Sequence, residues 1–159
     1  MGYCNDAEKT AERYKLLPGR DPGLKLPEYA VFSGDTVRRD AEGFIYFIGR
    51  RDEMIKTSGY RTSPTEVEEV LYGTRLVGEC VAFGVDHETL GQAIQVIATP
   101  PEGVAAVDVD ELMHQCRQRM PAYMIPAGVE CVAGPLPRNP NGKIDRKLLS
   151  TQWVERHMS

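Results

Sequence analysis

The stretch from Gly49 to Glu69, GRRDEMIKTSGYRTSPTEVEE, combines arginine, lysine, aspartate and glycine residues in a strand exit, a loop and a helix start. Arg50 and Arg61 carry guanidinium groups, whose planar forks match phosphate and ribose oxygens. Gly59 lies between them, where the chain can bend sharply or a ligand can approach closely. This composition exceeds what a passive connector requires, so we expect functional groups here.

A second cationic candidate, Lys143, lies in PRNPNGKIDRKLL, residues 137–149. The proline, asparagine and glycine residues before it are typical of a turn, which can bring the ammonium group close to a ligand. A positioned lysine lowers the repulsion between anionic reactants and stabilises negative charge that grows in a transition state. The short sequence Asn-Gly-Lys alone fits a solvated loop lysine equally well, so its interpretation depends on the other motifs.

Short strands and helices must position these side chains. The composition predicts a β-hairpin over Ala30–Gly49 and a helix over residues 64–72, which begins with the capping box Ser63–Glu66 and which Gly73 can end. Further patterns predict strands at residues 80–85, 93–99 and 128–133, and helices at residues 109–120 and after Asp145. This order predicts an α+β fold: a small domain with helices packed on a mainly antiparallel sheet, preceded by the hairpin and a hinge.

Composition argues against several functional classes. The chain has 159 residues and a formal net charge of -4, which gives no broad attraction to nucleic acid or anionic lipid. No apolar run approaches the roughly 20 residues of a membrane span, and the N-terminus lacks the apolar core of a secretory signal. The cysteines form no Cys-x-x-Cys pair, so we expect no metal site and reduced thiols in a cytoplasmic protein. The four cysteines of the chain are Cys4, Cys80, Cys116 and Cys131.

Three motifs, in order, resemble the adenylate-forming (AMP-binding) enzymes, which include acyl-CoA synthetases, nonribosomal peptide synthetase adenylation domains and luciferases. They are Phe32-Ser33-Gly34-Asp35, the stretch GRRDEMIK with GYR and PTEVEEVL, and PRNPNGKIDRKLL. A chance match to one short pattern is common, whereas a match to three in order is not. The resemblance covers only the last portion of such an enzyme. It implies that residues 1–49 are the tail of the large N-terminal domain and residues 50–159 the C-terminal small domain.

The resemblance implies a catalytic and a mechanical role within the small domain. Lys143 matches the family's catalytic lysine, which acts in adenylate formation. Asp52 matches the hinge residue, where changed backbone torsions let the small domain present different faces to the two half-reactions. A carboxylate paired with Arg50 or Arg51 is the structural alternative for Asp52, and it is compatible with a hinge.

The resemblance also implies ligand contacts. Asp35 matches an aspartate that binds ribose hydroxyls, and Arg50 and Arg61 match contacts on the nucleotide side. Gly59 matches a position that lines the pantetheine path, where a side chain would obstruct the thiol. The alternatives are a strand-edge carboxylate for Asp35, solvated side chains for the arginines and an ordinary loop glycine.

The implied function is that of an AMP-forming acyl-CoA ligase. The whole enzyme uses ATP with Mg²⁺, bound mainly by the large domain, to activate a carboxylic acid as an acyl adenylate, and transfers the acyl group to coenzyme A. The chain's partners would be the large domain and the acid substrate, and the exposed domain surface could promote a dimer. Without the large domain, we expect the chain to be inactive.

Two alternatives to this function remain. The same motifs fit an adenylation domain that serves a carrier protein in nonribosomal peptide synthesis, and a truncated non-catalytic binding module is also compatible. The sequences around residues 2–15 and 58–72 resemble stand-alone ligases encoded with bacterial exosortase systems, which favours the coenzyme A branch.

Overall fold

The structure, a computed structural model, describes residues 2–17, 29–51 and 53–157. The chain divides into two compact units, Met1–Asp52 and Glu53–Ser159. In the described part of the chain, no helix is long and apolar enough to cross a membrane.

The N-terminal unit contains one helix and two small antiparallel sheets. Its elements are α1 (Ala7–Arg13), β1 (Tyr14–Leu16), β2 (Tyr29–Val31), β3 (Asp35–Arg39) and β4 (Ile45–Arg50). β1 pairs with β2, and β3 pairs with β4. The predicted hairpin is present as β3–β4, but assigning Val31 to it was wrong, because Val31 pairs with Tyr14 of β1. Gly34, at φ +83°, separates the two sheets with a conformation that side chains rarely adopt.

The C-terminal unit is built on a five-stranded sheet. Its strands are β5 (Ile55–Thr57), β6 (Tyr60–Thr62), β7 (Cys80–His87), β8 (Gly91–Ala98) and β9 (Gly128–Cys131). Its helices are α2 (Pro64–Thr74), α3 (Val109–Arg119) and α4 (Arg146–His157), with a 3-10 turn at Ala122–Met124. β8 pairs with β7 along one edge; along the other it meets β5 near its start and β9, in parallel, near its end. The predicted α+β class is confirmed.

Hydrophobic residues cover both faces of the sheet. Ile94 and Val96 of β8 belong to the cluster that also contains Val67 and Leu71 of α2. The cluster on the opposite face consists largely of residues of β7 and β8 that alternate with those of the first cluster, together with Leu149 of α4. Its members are Val81, Phe83, Val85, Ala93, Ile97, Leu136 and Leu149. Since strand side chains alternate between faces, a one-residue slip of β7 or β8 would exchange the two clusters. The sheet is therefore a fixed platform between α2 and α3 on one face and α4 on the other.

Helix α2 begins as the sequence predicts and ends later. The capping box is present, and the Ser63 amide donates to the Glu66 carboxylate at 3.4 Å. The prediction that Gly73 ends the helix was wrong: α2 reaches Thr74, and Arg75 takes the left-handed conformation, at φ +62°. The Thr74 hydroxyl donates to the carbonyl of Leu71 at 2.6 Å, which holds the last turn in place of a glycine cap.

The thiols differ sharply in burial, which leads to a test of the packing. Burial raises the pKa of the Cys80 thiol to about 12, and it also raises the pKa of Cys116. Partial burial and the nearby Glu130 also raise the pKa of Cys131. Since the thiolate is the reactive form, we expect iodoacetamide to modify exposed Cys4 first and exposed Cys131 more slowly in the native protein, while Cys80 reacts about 1000-fold more slowly than an ordinary thiol. Mass spectrometry should find four modified cysteines in denaturant. Rapid native modification of Cys80 would contradict this packing.

Candidate functional site

The N-terminal unit brings two of the predicted nucleotide contacts together. Asp35 is the first residue of β3, and it lies directly opposite Arg50, the last residue of β4. The backbone before Asp35 is held in place, because the amide of Arg51 donates to the carbonyl of Gly34 at 2.8 Å. Asp35 is exposed, so its carboxylate is accessible to a ligand.

Arg13, which the sequence analysis did not select, holds the segment before Asp35. Its Nη1 donates to the carbonyl of Phe32 at 3.3 Å and to the carbonyl of Ser33. A Cβ at Gly34 would meet the same Nη1, so a side chain there would require the Arg13 guanidinium group to move. The left-handed backbone conformation favours glycine at residue 34, and a side chain there would also displace Arg13 from the carbonyl groups that it holds.

A cavity of about 440 Å³ opens beside this segment. Its charged lining residues are Glu12, Arg13, Lys15, Asp35 and Arg51. The lining has three cations and two exposed carboxylates, and one cation, Arg13, lies 3.7 Å from the Glu12 carboxylate. Lys15, Arg51 and Asp35 suit a ligand that has both hydroxyl groups and phosphates, because the carboxylate accepts from hydroxyls and the cations bind phosphate. This arrangement fits part of a nucleotide.

Gly59 and Arg61 lie on a tight hairpin that the sequence analysis described only as a loop. Ser58 and Gly59 join β5 to β6 with φ values of +51° and +80°, as in a type I′ turn. The alternating residues around Ser58-Gly59 were the signal that could have revealed the hairpin. Apart from its chain neighbours, no atom of the described residues would lie within 4 Å of a Cβ at Gly59, so the backbone conformation is what favours glycine here. Arg61 is exposed and lies opposite Lys56 across the hairpin.

Lys143 lies on a loop that closes on itself. The Asn139 amide donates to the carbonyl of Lys143 at 2.8 Å, and the Gly142 amide donates to the carbonyl of Asn139 at 2.9 Å. The Asn139 side chain accepts from the amides of Asn141 at 3.0 Å and Lys143 at 3.1 Å. Lys143 itself is exposed. The loop therefore fixes the backbone of Lys143 while its side chain extends from the surface.

Glu79 connects this loop to the sheet, another contact that the sequence analysis missed. One of its carboxylate oxygens accepts from the Leu136 amide at 2.7 Å, and the other pairs with Arg138. Arg138 also donates to the carbonyl of Gly142 at 2.9 Å. Because Glu79 lies 59 residues before Arg138, no local pattern could have indicated the pair.

Among the predicted site residues, the structure therefore groups Asp35 with Arg50 in the N-terminal unit and Gly59 with Arg61 in the β5–β6 hairpin. Lys143 has its own loop. Asp52 lies outside the described residues, and its hinge role stays a prediction.

Comparisons with known proteins show which family of proteins the chain resembles. Residues 66–143 match the family described as the AMP-binding enzyme C-terminal domain. The chain is 34% identical over 155 residues to a linear gramicidin synthase of Brevibacillus parabrevis, covering 98% of this chain and 3% of that protein. It is 32% identical over 156 residues to a long-chain-fatty-acid–CoA ligase of Bacillus subtilis, covering 98% of this chain and 25% of that protein.

A solved structure of a Bacillus subtilis enzyme is similar in fold. This is o-succinylbenzoate CoA synthetase in complex with its acyl-adenylate intermediate, which is 30% identical to the chain at a TM-score of 0.67. The alignment covers 76% of this chain and 24% of that one. The chain belongs to the adenylate-forming (AMP-binding) enzyme superfamily and carries its C-terminal domain. It spans about a quarter or less of the relatives named here.

The bonds around Asn139 lead to a test of the loop. Asn139→Ala removes the acceptor shared by two amides, and each such bond contributes about 1 kcal/mol, so we expect amide exchange at Lys143 to accelerate about tenfold. Asn141→Ala is the matched control, because that side chain supports neither amide. Hydrogen exchange measured by NMR on the chain separates the two variants. Equal exchange at Lys143 in both would show that Asn139 does not hold the loop.

Proposed function

We propose that this chain is the C-terminal portion of an AMP-forming acyl-CoA ligase, with residues 1–49 as the tail of the large domain and residues 50–159 as the small domain. The observation that carries the proposal is Lys143, an exposed ammonium group on a loop held by its own hydrogen bonds. The similarity to a long-chain-fatty-acid–CoA ligase supports a coenzyme A acceptor. The proposed compartment is the cytoplasm.

In the first half-reaction, a carboxylate oxygen bonds to the α-phosphorus of ATP and the bond to the bridging oxygen breaks, which releases pyrophosphate. Lys143 lowers the repulsion between these anions and stabilises the charge on the phosphoryl oxygens. Asp35 accepts hydrogen bonds from the ribose hydroxyls, while Arg50 and Arg61 contact the nucleotide. In the described residues, no group of three histidine, cysteine or acidic side chains could hold a metal ion, and we assign the Mg²⁺ that accompanies ATP to the large domain.

In the second half-reaction, the thiol sulfur of coenzyme A bonds to the acyl carbon, AMP leaves and the thiol proton passes to solvent. Asp52 is the proposed hinge about which the small domain turns between the two steps, and Gly59 then borders the pantetheine path. The exposed turn at Gly59 supports this role, because its surroundings within the described residues are open.

A second candidate uses the same first half-reaction with a different acceptor. The similarity to a linear gramicidin synthase supports transfer to the phosphopantetheine arm of a carrier protein. Lys143 and Asp35 would have the same roles in both cases. The acceptor thus distinguishes the candidates, and the site residues do not.

The proposal is tested in the longer protein that contains this chain, supplied with ATP, Mg²⁺ and a panel of carboxylic acids. We expect Lys143→Ala to lower the rate of pyrophosphate release by about 10²- to 10³-fold, because the positioned cation is lost. Lys147→Ala, four residues later and also exposed, should leave that rate unchanged. The 159-residue chain alone should release no pyrophosphate.

Three results would contradict this account: full adenylation in Lys143→Ala, turnover by the chain alone, or no adenylation of any acid by the longer protein. Supplying coenzyme A or a phosphopantetheinylated carrier protein as the acceptor then decides between the two candidates.

The ribose contact leads to a separate kinetic prediction. Asp35→Asn replaces a charged acceptor with a neutral amide, so we expect the KM for ATP to rise on the order of 10-fold while kcat changes little. Glu42→Gln, in the turn of the same hairpin, is the matched control for loss of charge. An unchanged KM for ATP in Asp35→Asn, with the variant folded, would remove Asp35 from the nucleotide site.

A further inference from the structure

Arg146, the first residue of α4, joins two acidic residues that lie far apart in the sequence. Its Nη2 donates to both carboxylate oxygens of Glu68 in α2, at 3.0 and 3.1 Å. Its Nη1 pairs with the carboxylate of Glu53. The guanidinium group is largely buried, with 24% of the side chain exposed. A planar fork can hold two carboxylates at once, which a single ammonium group cannot do with the same geometry.

The two carboxylates differ in how firmly they are held. Glu68 is 14% exposed, and its Oε1 also accepts from the backbone amide of Ala82 in β7 at 2.8 Å. Glu53 is 42% exposed and is the first residue of the C-terminal unit. Glu68 therefore fixes Arg146 against α2 and the sheet, and the contact with Glu53 attaches the start of the unit to that fixed point.

The same point is joined to the loop that carries Lys143. Asp145, immediately before Arg146, donates its amide to the carbonyl of Pro137 at 2.8 Å and caps α4 by accepting from Leu148 at 3.0 Å. Ile144 packs on the hydrophobic cluster between the sheet and α4. Two residues therefore separate Lys143 from the guanidinium group, and both are fixed by packing or hydrogen bonds.

We propose that Arg146 is a positioning residue: through Glu53, it ties the segment after residue 52 to the corner of the domain that carries Lys143. This inference rests on the proposed function, in which the domain turns at Asp52. A rotation at the hinge places Lys143 accurately only if the chain after the hinge is fixed to the domain. The adenylation step requires that placement, because a misplacement of about 1 Å costs on the order of 100-fold in rate. The thioester step presents another face of the domain and does not use Lys143.

Glu53→Ala is the informative variant, because it removes the exposed contact and leaves the Arg146–Glu68 pair intact. In the longer protein we expect the single-turnover rate of pyrophosphate release to fall about tenfold, while the transfer of a preformed acyl adenylate to its thiol acceptor stays within about twofold. Glu130→Ala, which breaks the Arg156–Glu130 pair at the surface, is the matched control and should change neither rate.

Arg146→Lys provides a second variant that keeps the charge. We expect the lysine to remain with Glu68 and to reproduce the selective loss seen in Glu53→Ala. Arg146→Ala is less informative, because an unpaired Glu68 could unfold the domain. Equal changes in both half-reactions of Glu53→Ala, or no change in either, would overturn the positioning role while leaving the proposed function standing.

A measurement on the 159-residue chain keeps the inference testable if no acid is adenylated and the proposed function fails. Hydrogen exchange of the amides at residues 53–57 should accelerate about tenfold in Glu53→Ala and stay unchanged in Glu130→Ala. Unchanged exchange in Glu53→Ala would show that Arg146 does not hold this segment, whatever the enzyme does.

Discussion

The packing of the β7–β8 pair between helices on both faces is the constraint on which the rest of the C-terminal unit depends. Ile94 and Val96 lie under α2 and α3, and Ala93 and Ile97 face the α4 side. Each buried aliphatic side chain of this size contributes about 1.5–3 kcal/mol, so any shift in register would be strongly unfavourable. Because the register is fixed, Glu79 just before β7 and the β5–β6 turn beside β8 are placed accurately. This sheet therefore positions the two loops of the C-terminal unit that carry Gly59 and Lys143.

The cationic side chains around the Lys143 loop differ in whether they pair with a carboxylate. Arg138 and Arg146 pair with the carboxylates of Glu79 and Glu68, and both arginines hold the segment around Lys143. Lys143 contacts no carboxylate within the described residues, and its side chain is exposed. A cation that is already neutralised by a protein carboxylate binds a phosphate less well, so this difference is what a positioning role and a ligand-binding role require.

Local patterns in the sequence were sufficient to predict the capping box at Ser63, the Asn-Gly turn before Lys143 and the strands β7, β8 and β9. The failures have physical causes. Gly73 does not end α2, because the Thr74 hydroxyl closes the last turn and Arg75 accepts the left-handed conformation. Contacts between distant residues left no local pattern: Arg146 lies 93 residues from Glu53 and 78 from Glu68. The family resemblance supplied candidate residues, whereas the ion pairs that hold them became visible only in three dimensions.

The two units differ in how much of their apolar surface they bury, and this difference supports the proposed place of the chain in a larger enzyme. The C-terminal unit has a continuous core on each face of its sheet. In the N-terminal unit, Ile45 is 69% exposed and Phe47 59% exposed, and both lie on the same face of the two-stranded β3–β4 sheet. A two-stranded sheet alone is marginally stable, and aromatic or β-branched side chains on one face favour burial against a neighbour. A large domain that covers this face would stabilise the hairpin and, with it, the facing positions of Asp35 and Arg50 on which the proposed nucleotide site depends.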